Sequence, residues 1–348
     1  MTETPLTLHE LDQLPDGLLE LNSIDLGTRL PGPTLIHLAG EREPALFVSV
    51  LMHGNEPVGW DAVRLLLSHC LERHGRLRLP RSLSLFIGNV QAAAANARHL
   101  PDQPDFNRVW PGTEEPASPA RAVMAEVVEI MQRRGLFASI DLHNNTGSNP
   151  HYACVNRLDN RSLHLARLFA RTVVYFLRPT GVQSQAMAPL CPAVTLECGR
   201  VGERRGIEHA REFIDACLHL HALPDHALPA QDLDLFHTVA RVTIPEQVSF
   251  GFPPHEAQLV LSPELERFNF RELPAGTAFA QARPGARIDV RDEHGRNVAD
   301  QFFRIEQDEL KLQVPAMPSM LTADATVIRQ DCLCYLMERY NQHVPPRH

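Results

Sequence analysis

Four short apolar runs, each about the length of a buried strand, alternate with stretches of helical periodicity, and this alternation constrains the fold more than any other feature. The runs are P-A-L-F-V-S-V-L-M, S-L-S-L-F-I-G-N-V, F-A-S-I-D-L and P-A-V-T-L. After the first, Val63, Leu66, Leu67 and Cys70 form a helical stripe. S-P-A-R-A-V-M-A-E-V-V-E-I-M-Q-R-R-G carries a complete set of helix signals. Ser118 can cap it, Pro119 suits its first turn, Arg133 and Arg134 suit the negative end of its dipole, and Gly135 stops it. G-I-E-H-A-R-E-F-I-D-A-C-L-H-L follows the last run as another helix. Strands alternating with helices predict an α/β fold: a mainly parallel sheet flanked by helices on both faces.

The pattern changes after about Leu223. P-D-H-A-L-P-A-Q-D-L-D reads as a linker. Beyond it, H-T-V-A-R-V-T-I-P and A-R-I-D-V-R-D alternate at the strand period and are broken by Pro and Gly, which predicts a smaller β-rich domain. For a chain of 348 residues this implies a catalytic-sized domain over residues 1–225 and a second over residues 236–348.

Composition excludes several function classes. A net charge of -9 and a pI near 6.0 argue against nucleic-acid binding, which needs clustered positive charge. Lys311 is the sole lysine, so no other position can supply a lysine nucleophile or Schiff base. The seven cysteines are scattered and never form a C-x-x-C pair, which fits free thiols in a reducing compartment. The N-terminal stretch has no basic start followed by an apolar segment, and no run approaches the roughly 18 apolar residues a membrane span requires. A soluble cytoplasmic protein with no membrane partner is the expectation; a homo-oligomer is left open.

The chemistry gathers where the apolar runs stop. In an open parallel sheet, ligands bind beyond the carboxyl ends of the strands. His53 and Glu56 follow the first run in L-M-H-G-N-E-P, His143 follows F-A-S-I-D-L, and Glu197 follows A-V-T-L. Two histidines plus a carboxylate make a catalytic zinc set with one position open for water. We therefore expect His53, Glu56 and His143 as ligands of one Zn2+ per chain, and Glu197 as general base and later general acid. His219-x-His221 has no such support, because residues two apart on a helix face apart. A second cluster, R-H-L-P-D-Q-P-D-F-N-R-V-W-P-G, follows the second run. Beside a metal, Arg108 can clamp a substrate carboxylate with both arms of its guanidinium, Asn107 can add a hydrogen bond, and Arg98 can face an oxyanion. Cys198, next to Glu197, reads as a buried inert thiol rather than an oxidation switch.

H-G-N-E-P-V-G, R-H-L-P-D-Q-P-D-F-N-R, D-L-H-N-N-T-G and T-L-E-C-G, in that order, resemble the succinylglutamate desuccinylase/aspartoacylase family of the zinc carboxypeptidase superfamily. The likeness runs from about Thr34 to Leu220. It implies a zinc-carboxypeptidase-like sheet flanked by helices, with a smaller β-rich C-terminal domain that narrows the active-site cleft. It implies zinc on His53, Glu56 and His143, water activation by Glu197, carbonyl polarisation by Arg98, and carboxylate binding by Asn107 and Arg108. It also implies that Asp105 hydrogen-bonds the first zinc histidine. Two departures bear on specificity. N-N-T-G-S-N-P-H-Y after His143 is nearer aspartoacylase than desuccinylase but like neither throughout, and the only tyrosines past the linker are Tyr335 and Tyr340.

The expected activity is zinc-dependent deacylation of a small N-acyl amino acid or a similar carboxylate-bearing amide. The alternatives are a metallocarboxypeptidase acting on peptides and a non-catalytic ligand-binding member of the fold.

Overall fold

A computed structural model describes residues 6–340 of the chain, which divides into two compact units. Among the described residues the first comprises 6–144, 151–173 and 179–233, and the second 145–150, 174–178 and 234–340. The second unit therefore takes in two short segments from far upstream as well as the C-terminal third.

Through residue 200 the strands are β1 (His9–Leu11), β2 (Thr34–Leu38), β3 (Ala45–Val50), β4 (Leu83–Ile87), β5 (Leu136–Asn145), β6 (Tyr152–Val155), β7 (Thr172–Tyr175) and β8 (Ala193–Arg200), all in the first unit but for the last residue of β5 and the last two of β7. They lie side by side in the order β1-β2-β4-β3-β5-β8-β6-β7. β3 runs parallel to both β4 and β5, as the buried apolar runs predict. β2 runs antiparallel to β4, and β6 antiparallel to β8, so the sheet is mixed. The helices are α1 (Val58–His74), α2 (Val90–Ala94), α3 (Pro119–Arg134), α4 (Asn160–Phe169), α5 (Gln183–Met187) and α6 (Arg204–His219). Val63, Leu66 and Leu67 of α1 are buried as their spacing requires. α3 has the termini its sequence specifies: the Ser118 hydroxyl accepts from the Arg121 N–H at 3.2 Å, and Gly135 closes it at φ 74°. Phe86 and Trp110 meet edge to face at 5.8 Å in the core beneath α3.

In the second unit, β9 (Asp234–Thr243) pairs with β17 (Cys334–Arg339), which pairs with β16 (Met317–Ser319), and β13 (Asp289–Asp292) also pairs with β9. A second sheet follows the order β10 (Phe250–Gly251), β11 (Leu259–Leu261), β12 (Ala278–Ala282), β15 (Glu309–Leu312) and β14 (Phe303–Glu306). The C-terminal region is thus β-rich, and the expected fold class holds. Phe279 is fully buried here, edge to face with Phe303 at 5.2 Å. Phe279→Ala is expected to cost about 3–5 kcal/mol in denaturant unfolding. A loss below about 1 kcal/mol would show that this core does not contribute to global stability. Among the described residues, no helix is long and apolar enough to cross a membrane.

Candidate active site

The turn that follows β3 is built to hold its side chains still. Leu51, just past the strand, takes a left-handed backbone with φ 57°, a strained conformation for a branched residue. Its carbonyl accepts from the Asn89 N–H at 2.7 Å. Gly54 packs so tightly on α2 that a Cβ would lie 2.2 Å from the Ala92 carbonyl carbon. Only glycine fits there, and its N–H is taken up by the Arg98 carbonyl at 3.1 Å. His53 and Glu56 flank this glycine and are both buried. α1 starts two residues after Glu56.

His143 and Glu197 lie inside β5 and β8 rather than just beyond them, unlike the sequence expectation. A polar side chain does not end a strand whose backbone still has partners, and Glu197 pairs in register with Tyr152 of β6.

The structure brings His53, Glu56 and His143 together. One donor atom from each lies within 4.8 Å of the others, and among the described residues this is the group of His, Cys, Asp and Glu able to hold a metal ion. The two imidazoles are turned alike. Nδ1 of His53 is 2.9 Å from Glu56 Oε1, and Nδ1 of His143 is 2.7 Å from Glu56 Oε2. Each Nε2 faces outward to its own carboxylate: His53 Nε2 to Asp105 Oδ1 at 3.0 Å, and His143 Nε2 to Asp141 Oδ2 at 2.7 Å. An Nε2–H that donates to a carboxylate leaves Nδ1 as the inward ligand atom, the arrangement typical of metal-binding histidines. Two imidazole nitrogens, a carboxylate and two orienting carboxylates suit Zn2+.

Asp105, the partner of His53 Nε2, also accepts from Arg98 Nε and Nη2 at 3.0 and 2.8 Å. The remaining nitrogen of that guanidinium, Nη1, stands 3.9 Å from Glu56 Oε1. Asp141 is a residue that reasoning from sequence missed. It is fully buried and also accepts from Ser49 Oγ at 2.6 Å and Asn107 Nδ2 at 3.2 Å. Its signal was the D-L-H triplet: in a strand, residues two apart share a face, so an aspartate there is aimed with the histidine. The Asn107 side-chain Oδ1 accepts from the Gln183 N–H at 3.0 Å, which fixes the amide's orientation. Arg108 is half-buried, with Nη1 donating to the Asn107 backbone carbonyl at 2.8 Å.

Charge in the cluster follows from burial and pairing. For Glu56, burial raises the pKa, but His53 and His143 outweigh it and hold the carboxyl far below its ordinary value. Burial likewise raises Asp105, and Arg98 and His53 outweigh it, leaving it well below the usual range. Burial and Arg98 lower His53, yet Glu56 and Asp105 prevail and the imidazole is raised. Burial lowers His143 too, but Asp141 and Glu56 lift it well above its ordinary value. Glu197 behaves oppositely: burial pushes it up to about 7, against the pull of His143. Cys198 is fully buried, and burial with Glu197 drives its thiol well up, away from the reactive thiolate.

The other singled-out residues lie elsewhere. His219 Nδ1 donates to the Asp215 carbonyl at 2.8 Å, and the His221 ring meets Arg42 Nη1 at 2.9 Å. Tyr335 lies in β17, and Tyr340 packs edge-on to Tyr175 at 6.0 Å within the second unit.

Residues 42–221 match the family model for the succinylglutamate desuccinylase/aspartoacylase catalytic domain. Several solved structures share the fold. Succinylglutamate desuccinylase of Chromobacterium violaceum aligns with a TM-score of 0.54 at 18% identity, covering 86% of each chain. That of Vibrio parahaemolyticus aligns at 0.58 and 14% identity, over 90% of this chain and 88% of its own. Murine aminoacylase 3 aligns at 0.52 and 16% identity, over 86% of this chain and 97% of its own. No curated protein matches the chain in sequence.

Proposed function

The chain belongs to the succinylglutamate desuccinylase/aspartoacylase family, and from that premise we propose that it is a zinc-dependent amidohydrolase removing the acyl group from a small N-acyl amino acid or a similar carboxylate-bearing amide. The observation that carries this reading is the convergence of His53, Glu56 and His143 within 4.8 Å, with a buried Glu197 poised near pH 7 and electrostatically coupled to all three.

Zinc, held by His53 Nδ1, His143 Nδ1 and Glu56, would polarise the scissile carbonyl and make the attacking water more acidic. Glu197 takes the proton from that water and delivers it to the departing amine nitrogen. Burial that raises this carboxyl in the metal-free site favours its holding a proton between the two halves of that transfer. Arg98, held by Asp105 through Nε and Nη2 and standing 3.9 Å from Glu56, is the cation beside the metal ligands that faces charge developing on the carbonyl oxygen. Arg108 clamps the substrate's free carboxylate. The Asn107 amide nitrogen lies 3.2 Å from Asp141 Oδ2 and 3.0 Å from His143 Nε2, so it is turned toward the metal ligands and Arg108 carries the larger share of carboxylate binding.

The family and the fold neighbours named for desuccinylase and aminoacylase activity support the substrate class. The test is a substrate panel on zinc-loaded protein, comparing N-acyl amino acids with C-terminal dipeptides. Release of a carboxylate and a free amino acid is the expected result. A preference for dipeptides would replace this reading with a carboxypeptidase, and inertness toward the whole panel with zinc bound would end it.

The raised histidines also give metal binding a pH dependence. In chelator-stripped protein, their protonated forms stabilise the fold below the ordinary 6.5, and that contribution is lost as pH rises through the shifted values. Zinc must displace those protons, so its affinity rises by about tenfold per pH unit for each proton released. At a fixed free zinc concentration, the increase in Tm on adding zinc should be larger at pH 8 than at pH 6. Equal increases at the two pH values would contradict the ligand assignment.

A further inference from the structure

Asn144 takes no part in the chemistry described above, yet its amide touches three of the segments that carry that chemistry. Its Oδ1 accepts from the N–H of Val58, the first residue of α1, at 3.1 Å. α1 begins after Pro57 and has no side-chain cap of its own, so this N–H, one of the helix's orphan donors, is met from β5 instead. Its Nδ2 donates to the carbonyl of Gly199 at 3.0 Å, two residues beyond Glu197 in β8. Its backbone N–H donates to Glu56 Oε2 at 3.2 Å.

One side chain therefore joins the turn that carries His53 and Glu56, the strand that carries His143, and the strand that carries Glu197. An amide is the group this junction needs, because Val58 offers only a donor and Gly199 only an acceptor. The residue is 4% exposed, so water has little access to replace either bond. The far side of Gly199 is fixed as well. It sits at φ 82°, and a Cβ there would lie 2.7 Å from His151 Nε2. The tie to its carbonyl thus meets a glycine whose other face is packed against the His151 side chain.

We propose that Asn144 is a positioning residue that sets the separation between the metal ligand Glu56 and the proton carrier Glu197. The proposal rests on the deacylase reading for its kinetic consequence only. Zinc affinity and amide exchange report on it independently.

The test uses the full chain with Asn144→Ala and Asn144→Asp. Alanine removes both bonds. The Val58 amide should exchange faster with deuterium, and the zinc Kd, measured by chelator competition, should rise about 10- to 100-fold. At saturating zinc, kcat should fall about 10- to 100-fold while KM stays within about twofold. Aspartate keeps the acceptor for Val58 and loses the donor to Gly199. The Val58 amide should stay protected and zinc affinity should change less than with alanine, but kcat should fall because the tie to the Glu197 strand is gone. A purely structural role would lower Tm in both variants while leaving zinc Kd and kcat per folded molecule within about twofold of wild type, and that result overturns the proposal. If the alanine variant does not fold, wild-type kcat in the aspartate variant overturns it equally. If the wild type binds zinc but hydrolyses none of the panel, the function fails, while zinc Kd and Val58 exchange still decide the role of Asn144.

Discussion

Zinc-loaded Glu197→Gln protein is expected to turn over N-acyl amino acids about 10²- to 10⁴-fold more slowly than wild type, with KM little changed. Glutamine keeps the volume and polarity of the side chain in β8 and removes only its ability to accept and return a proton. Glu197 lies outside the group of His53, Glu56 and His143, so zinc content should stay at one per chain. The variant should also be no less stable. Burial raises the Glu197 pKa to about 7, which means the folded state resists its ionisation, and that penalty grows as pH rises through 7. A neutral amide avoids it, so at pH 8 the Tm of stripped Glu197→Gln should equal or exceed that of stripped wild type. A variant with full zinc and activity within about tenfold of wild type would remove Glu197 from the mechanism.

Much of this arrangement is legible in the sequence because it depends on local pattern. The apolar runs at β3, β4, β5 and β8 declare themselves by length and composition, and α3 declares both its ends. His53 and Glu56 stand out because charged groups three residues apart follow a run that can only be buried. What is not legible depends on contacts between distant segments. Asn144 looks like an ordinary loop asparagine until it is seen to cap a helix that begins 86 residues earlier. Ser49 is an alternate residue in an apolar strand, and its hydroxyl acquires meaning only because β3 and β5 are neighbours and Asp141 lies opposite. β2 and β6 are five and four residues long, too short for their direction to be read from periodicity. The two upstream segments that join the second unit carry no compositional mark at all, since their membership is decided by packing.

The same distinction between local and distant contacts orders the losses expected at the metal. His143→Ala should raise the zinc Kd by more than the about 100-fold that marks the upper end for residues acting through a ligand, and protein purified without added metal should hold well under one zinc per chain. His53 and Glu56 sit on one short turn and supply two donors by themselves. The third comes from β5, so without it only the two donors of that turn would remain to hold zinc. Asp141→Asn tests the layer behind. It leaves all three donors but weakens the hold on His143 Nε2 and disturbs the acceptor for Ser49 and Asn107, so an increase of about 10- to 100-fold is expected. The order should therefore be His143→Ala weakest, Asp141→Asn intermediate and wild type tightest. Tight, stoichiometric zinc in His143→Ala would mean that the two imidazoles do not share an ion. An Asp141→Asn effect as large as that of His143→Ala would mean that Asp141 itself reaches the metal. The geometry argues against the latter, because its carboxylate lies on the Nε2 side of the ring, opposite the nitrogen that faces Glu56.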